Sequence, residues 1–112
     1  MMEIKWKDFE KIEMRVGTII EINDFVDARI PAYQLKIDFG AVMGIKKTSA
    51  QITKLYTKEI LINRQIIAVL NFPKKQIGKF MSECLVLGAV GKEGEVTLLS
   101  PDFTVENGLK IA

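Results

Sequence analysis

This 112-residue chain is long enough for one hydrophobic core and too short for two, so a single domain is expected over residues 1–112. Hydrophobic residues make up 48% and charged residues 27%, which argues against disorder, and no apolar run approaches the ~20 residues of a membrane helix. Histidine is absent and Cys84 is the only cysteine, which excludes Ser–His and Cys–His nucleophile pairs, His-ligated metals, an internal disulfide and a thiolate metal cage. Cys84 lies in the apolar run Cys84–Leu85–Val86–Leu87 and is expected to be a buried, inert thiol. The opening residues Met1 to Asp8 mix charges and lack the apolar region of a signal peptide, so a cytoplasmic location is expected.

A short helical turn is expected within Asp8–Glu13. Arg15–Ile22 follows as a strand, with Val16, Thr18, Ile20 and Ile22 on one face, Arg15, Gly17 and Glu21 on the other, and Ile19 breaking the alternation. Tyr33, Leu35, Ile37 and Phe39 alternate with Gln34, Lys36 and Asp38, which predicts a second strand with one buried face. Gly40 permits a tight reversal into a third strand over Val42–Lys46. From Ser49 to Tyr56 the period changes: Ile52, Leu55 and Tyr56 stand at helical spacing, with Lys47, Gln51, Lys54 and Lys58 opposite and Thr48 or Ser49 as the N-cap. Gln65–Phe72 is almost wholly apolar and predicts a strand buried on both faces. A basic loop leads to a strand over Leu85–Val90. The glycine-bounded loop Gly91–Gly94 then returns the chain as Glu95–Leu99, and Leu109–Ile111 forms a last short segment. Five or more short strands with one short helix between the third and fourth predict an all-β OB-fold, a five-stranded Greek-key barrel; an SH3-like barrel is the alternative.

The net charge of +2 conceals an asymmetry. Residues 46–79 hold eight basic residues and the single acid Glu59, a local charge of +7 against −5 elsewhere. Such a split suggests a polyanionic partner, although lysines also simply solvate loops.

Glu13-Met14-Arg15-Val16-Gly17-Thr18-Ile19 resembles the opening (D/E)-x-R-V-G-x-I of the tRNA-binding domain of methionyl-tRNA synthetases and free-standing dimers. Asn71 to Glu83 is similar to that family's second block, with a strand-ending Asn, a Pro among basic residues, a Gly and a Ser-Glu pair. Gly44 to Thr53, and Asn71-Phe72-Pro73 with Gln76-Ile77-Gly78, resemble the CsaA-type export chaperones, which consist of this domain alone. The similarity runs from about Phe9 to Ile111. It implies a cytoplasmic homodimer that binds unfolded or exported polypeptides, with a surface related to tRNA-binding modules.

Lys46, Lys47 and Lys54 form one candidate lysine group, and Lys74, Lys75 and Lys79 a second. If they line one groove, each ammonium can neutralise a phosphate, and Arg64 can pair planar with another. Asn71 and Ser82 match polar positions of the family motif; each can bond a base edge or peptide backbone, or cap a local turn, and Glu83 can accept from either ligand. Phe72, Phe80 and Met81 flank the basic loop and suit stacked bases or apolar peptide residues, or pack beneath the loop. Gly17 and Gly78 are expected to serve backbone geometry, such as a bulge or a positive φ. Trp6, Phe9, Phe103 and Val105 lie outside the barrel strands, where a twofold interface would bury them.

Two functions compete. A chaperone would hold extended segments through backbone hydrogen bonds and apolar pockets, without turnover. A tRNA-binding module would follow backbone phosphate with the lysines. No cofactor is expected, since no phosphate-binding G-x-x-x-x-G-K-[ST] loop is present, and no nucleophile with an adjacent base argues for an enzyme.

Overall fold

A computed structural model describes residues 1–112. A one-turn helix α1 (Trp6–Glu10) leads into the long strand β1 (Met14–Asp24), which pairs antiparallel with β2 (Tyr33–Asp38). A helical turn α2 (Gly40–Met43) precedes β3 (Ile45–Ala50), and another, α3 (Lys58–Leu61), precedes β4 (Gln65–Val69). The remaining strands are β5 (Lys75–Ile77), β6 (Phe80–Ser82), β7 (Leu85–Val86), β8 (Gly88–Val90) and β9 (Val96–Leu98). The main sheet has the order β3-β2-β1-β4-β7, all antiparallel, and curls into a nearly closed barrel whose edges β3 and β7 approach each other. Two hairpins, β5–β6 and β8–β9, are appended to it. This is the OB-fold the sequence predicts.

The alternation in β2 is obeyed: Tyr33, Leu35, Ile37 and Phe39 are all buried and join Ile19, Leu61 and Ile66 in the core. Strand β1 departs from the expected phase. Its register slips between Ile19 and Glu21, so Ile19 is fully buried while Ile20 is 40% exposed. A bulge adds one residue to one strand and reverses the facing of everything beyond it, which a strict period-two reading cannot anticipate.

The third strand and the helix also lie elsewhere than expected. Gly40 and Gly44, at φ +91° and +77°, let the chain make a helical turn before β3 begins. The segment 45–50, expected to lead into a helix, is strand. Thr48, a helix cap by sequence, lies mid-strand and buried, opposite Leu35. The helix between β3 and β4 exists, but it is the single turn at Lys58–Leu61. Ile52 and Tyr56 are buried as helical spacing implies, yet an irregular turn holds them, and Leu55 is exposed. That turn is fixed from both sides. The Tyr33 hydroxyl donates to the Tyr56 carbonyl at 2.8 Å, and the Leu98 amide donates to the Tyr56 hydroxyl at 2.9 Å. Tyr33→Phe removes the first bond from a buried site. It is expected to cost about 1 kcal/mol, read as a lower midpoint in urea with an unchanged slope.

The strand over Leu85–Val90 is divided at Leu87, whose amide turns to the Ile67 carbonyl at 2.9 Å. Beyond Val105 the chain forms a strap along β1. The Gly108 amide donates to the Val16 carbonyl at 2.8 Å, the Val16 amide to the Leu109 carbonyl at 3.0 Å, and the Ile111 amide to the Met14 carbonyl at 3.0 Å. The strap thereby occupies the flank of β1 where β2, which begins its pairing at Thr18, is not available. Arg15 belongs to this join: it pairs with Glu13 and donates to the Gly108 carbonyl.

Candidate ligand-binding trough

The barrel is closed between β3 and β7 by side chains as much as by strands. The Glu83 amide donates to the Lys47 carbonyl at 2.8 Å, and the Lys47 amide donates to Glu83 Oε1 at 2.9 Å. A carboxylate thus stands where a neighbouring strand's carbonyl would be. One residue on, Thr48 Oγ1 donates to the Cys84 carbonyl at 2.6 Å and lies 3.0 Å from Ser82 Oγ. The Lys47 N–H bond, reinforced by Lys74 Nζ at 3.5 Å, holds the Glu83 carboxyl below its ordinary range. Burial pushes the Cys84 thiol up to about 12, so it stays protonated and unreactive, as expected.

Past this stitch the seam opens. Ser49, Gln51 and Ile52 face Leu85, Val86 and Val96 across a cavity of about 350 Å³, and Lys75 and Ile77 of β5 border it. A second cavity shares Lys75, Ser82, Cys84 and Leu85 with it and extends to Phe72 and Pro73. A third shares Ser49, Gln51, Lys75 and Ile77 and extends to the β1–β2 loop at Phe25–Ile30. The three form one trough along the open seam, and Lys75 borders all of them.

The structure brings together most of one lysine set. Lys47 lies over the Phe80 ring at 5.5 Å, Lys74 reaches Glu83, and Lys46 adds its charge at the same carboxylate. Lys79 sits on the β5–β6 turn beside Gly78, whose φ of +61° meets the expectation of a positive φ. Two residues stand apart. Lys54 donates to the Glu93 carbonyl in the loop joining β8 and β9, at 2.6 Å. Arg64 lies over the Tyr56 ring at 5.3 Å and borders a separate cleft with Thr18 and Phe103. The helix expected to carry Lys54 beside Lys47 is absent, and Arg64 follows α3 at another part of the barrel.

The polar candidates have internal partners. Asn71 accepts from the Glu13 amide at 3.0 Å and donates to the Lys11 carbonyl at 2.6 Å, fastening the segment after α1. Ser82 bonds Thr48 and the Cys84 carbonyl. Among the apolar candidates, Phe72 is 56% exposed, Phe80 packs against Phe25 at 5.4 Å, and Met81 lies half-buried opposite Gln76. Sequence reasoning misses Ser49, Gln51, Ile77 and Val96; only the recognition of 45–50 as an edge strand would expose them.

The terminal candidates are divided by the strap. Trp6 is 71% exposed, lies 5.7 Å from Phe9, and shares a shallow apolar recess with Ile4 and Ala112. Phe103 is 78% exposed at the Arg64 cleft, while the backbone of Val105 is bound on both sides by Gln65.

Residues 14–110 match the family described as "Putative tRNA binding domain". The chain belongs to this family. It is 36% identical over 111 residues to methionine–tRNA ligase of Pyrococcus abyssi (strain GE5 / Orsay), spanning 98% of this chain but only 15% of that protein. Two solved structures are similar over their entire length. Chaperone CsaA of Bacillus anthracis str. Ames is 47% identical with a TM-score of 0.94, covering 99% of this chain and 100% of the other. The CsaA chaperone protein of Picrophilus torridus is 56% identical with a TM-score of 0.92, covering 98% and 100%. Along its length the domain therefore resembles the CsaA form of the tRNA-binding domain.

Proposed function

We propose that this chain is a CsaA-like chaperone of the cytoplasm that holds unfolded or export-bound polypeptides, as a homodimer and without turnover. The observation that carries the reading is the trough itself. Its central cavity is bordered by Ile52, Ile77, Leu85, Val86 and Val96, and aromatic rings stand only at the flanking cavities, Phe72 in one and Phe25 in the other. Single-stranded nucleic acid is gripped largely by stacking on aromatic rings, whereas an aliphatic floor takes apolar peptide side chains. Lys75, which borders all three cavities, favours acidic or mixed-charge segments. Similarity to two CsaA chaperones along the full chain supports the same reading. Exposed Trp6 and Phe103, with Phe9 and Val105 beside them, supply apolar surface for the twofold contact.

Aggregation of a chemically denatured client on dilution, followed by light scattering, tests this directly. Scattering is expected to fall in proportion to added protein without ATP, and no suppression at a several-fold excess refutes the reading. Trp6→Glu is expected to shift sedimentation toward the monomer.

The gathering of Lys46, Lys47 and Lys74 around Glu83, with Lys75 along the trough, together with family membership, favours tRNA as a second ligand. Lys74→Glu with Lys75→Glu is expected to weaken tRNA binding at least tenfold. The plot of log affinity against log salt should become shallower by about 0.7–0.9 for each phosphate that is no longer neutralised. Client holding, which rests on apolar burial, is expected to survive salt that abolishes tRNA binding.

A further inference from the structure

In β3 the amide and carbonyl of Lys47 point away from β2, toward Glu83. Residues of an antiparallel ladder alternate in this respect, so those of Ser49, opposite Gln34, point the same way. No backbone group of the chain meets the Ser49 amide or carbonyl there; the Thr48 hydroxyl lies 3.3 Å from that carbonyl, but its one proton goes to the Cys84 carbonyl at 2.6 Å. Ser49 borders the trough, between Ile52 and the β5 residues Lys75 and Ile77. An edge strand with free main-chain groups, next to an aliphatic floor, is built to receive another strand.

We infer that the occupant is an extended polypeptide segment that adds to the β3 edge at Ser49, with apolar residues facing Ile52, Val86 and Val96 and alternate acidic residues facing Lys75. The inference rests on the polypeptide-binding reading above and specifies its geometry. Glu83 sets one limit of the site, because its carboxylate already occupies the Lys47 position of the same edge. The segment therefore begins its pairing at Ser49 and continues toward Gln51. Selectivity follows: main-chain bonds at Ser49 are indifferent to sequence, while the period-two pattern of apolar and acidic residues sets preference.

Amide hydrogen exchange on the isotope-labelled full chain tests the inference, with a short synthetic peptide of alternating valine and glutamate as probe. In the free protein Ser49 is expected to exchange fast beside slow Thr48 and Ala50, which pair with Leu35 and Tyr33. Saturating peptide is expected to slow Ser49 by about tenfold or more, as a new backbone hydrogen bond requires. N-methylation of alternate peptide residues should abolish binding in one phase and spare it in the other. Fast Ser49 exchange with peptide bound, or equal effects of both methylation phases, overturns strand addition. If the chain still suppresses client aggregation, the chaperone reading stands; if it neither binds peptide nor suppresses aggregation, both fall. Protection of Ser49 by a polyuridine oligonucleotide and not by peptide overturns the inference in favour of RNA.

Discussion

Gly17→Ala is expected to destabilise the chain by about 1–3 kcal/mol, and Gly17→Val by more. A Cβ at this position would lie 2.6 Å from Ile37 Cγ2 and 2.6 Å from Phe39 Cε1. Both neighbours are fully buried, and neither is the loose end of a flexible side chain. The Phe39 ring therefore packs directly on the bare backbone of β1, and an added methyl must displace the ring or separate β1 from β2. Thermal unfolding is the measurement: a domain of this size loses roughly 4 °C or more per kcal/mol. Phe39→Leu in the Gly17→Ala background should restore part of the loss relative to simple addition of the two single effects. A Gly17→Ala protein within about 0.5 kcal/mol of the parent would refute this close-packing account.

Gly17 also marks where sequence reading reaches its limit. Its place in the Arg15-Val16-Gly17 motif is visible, but the expected reason, a bulge or positive φ, is not the one found. The φ is ordinary, and the bulge falls later, at Ile19–Glu21. The need for glycine comes from a residue 22 positions away, Phe39, and no local pattern carries that. Strand β2 is legible because one face is core and the other solvent, so its alternation is written in the residues themselves. Strand β3 is not. Its single fully buried side chain is a threonine, and the residues around it, both lysines included, are half-buried or exposed with no clean two-sided alternation.

The candidate site is legible in the same uneven way. Lys47, Lys74, Lys75 and Phe72 can be grouped from charge and motif. Asn71 and Ser82 stand out for a good reason, but their motif positions hold the scaffold: one fastens the segment after α1, the other joins the stitch between β3 and Cys84. A motif records that a residue type is required and not whether a ligand or the fold requires it. The bridge Lys47–Glu83 spans 36 positions. It becomes visible only when β3 and the segment after β6 are known to share an edge.

That bridge gives the other large effect. Glu83→Ala leaves the Lys47 amide without its acceptor and Lys74 without its partner, in a place that water reaches only partly. The expected cost is about 1–3 kcal/mol at neutral pH, and Glu83→Gln, which keeps an acceptor oxygen, is expected to recover most of it. The pH dependence separates charge from shape. In the folded chain the Glu83 carboxyl lies below its unfolded value, so the unfolded chain binds the proton more readily. The stabilisation is therefore complete above the unfolded value of about 4.3 and is lost as pH falls through the lower, folded value. Urea midpoints of the parent and of Glu83→Gln should converge as the solution is acidified through that window. A gap that stays constant down to full protonation would mean that the carboxylate's charge contributes nothing to closing the barrel. Because the Glu83 carboxylate also blocks the β3 edge at Lys47, Glu83→Ala should free the Lys47 amide, while the Lys47 carbonyl keeps the backbone amide of residue 83. The Lys47 amide should then exchange as fast as that of Ser49, and the variant should self-associate more readily than the parent, as an unblocked edge strand does.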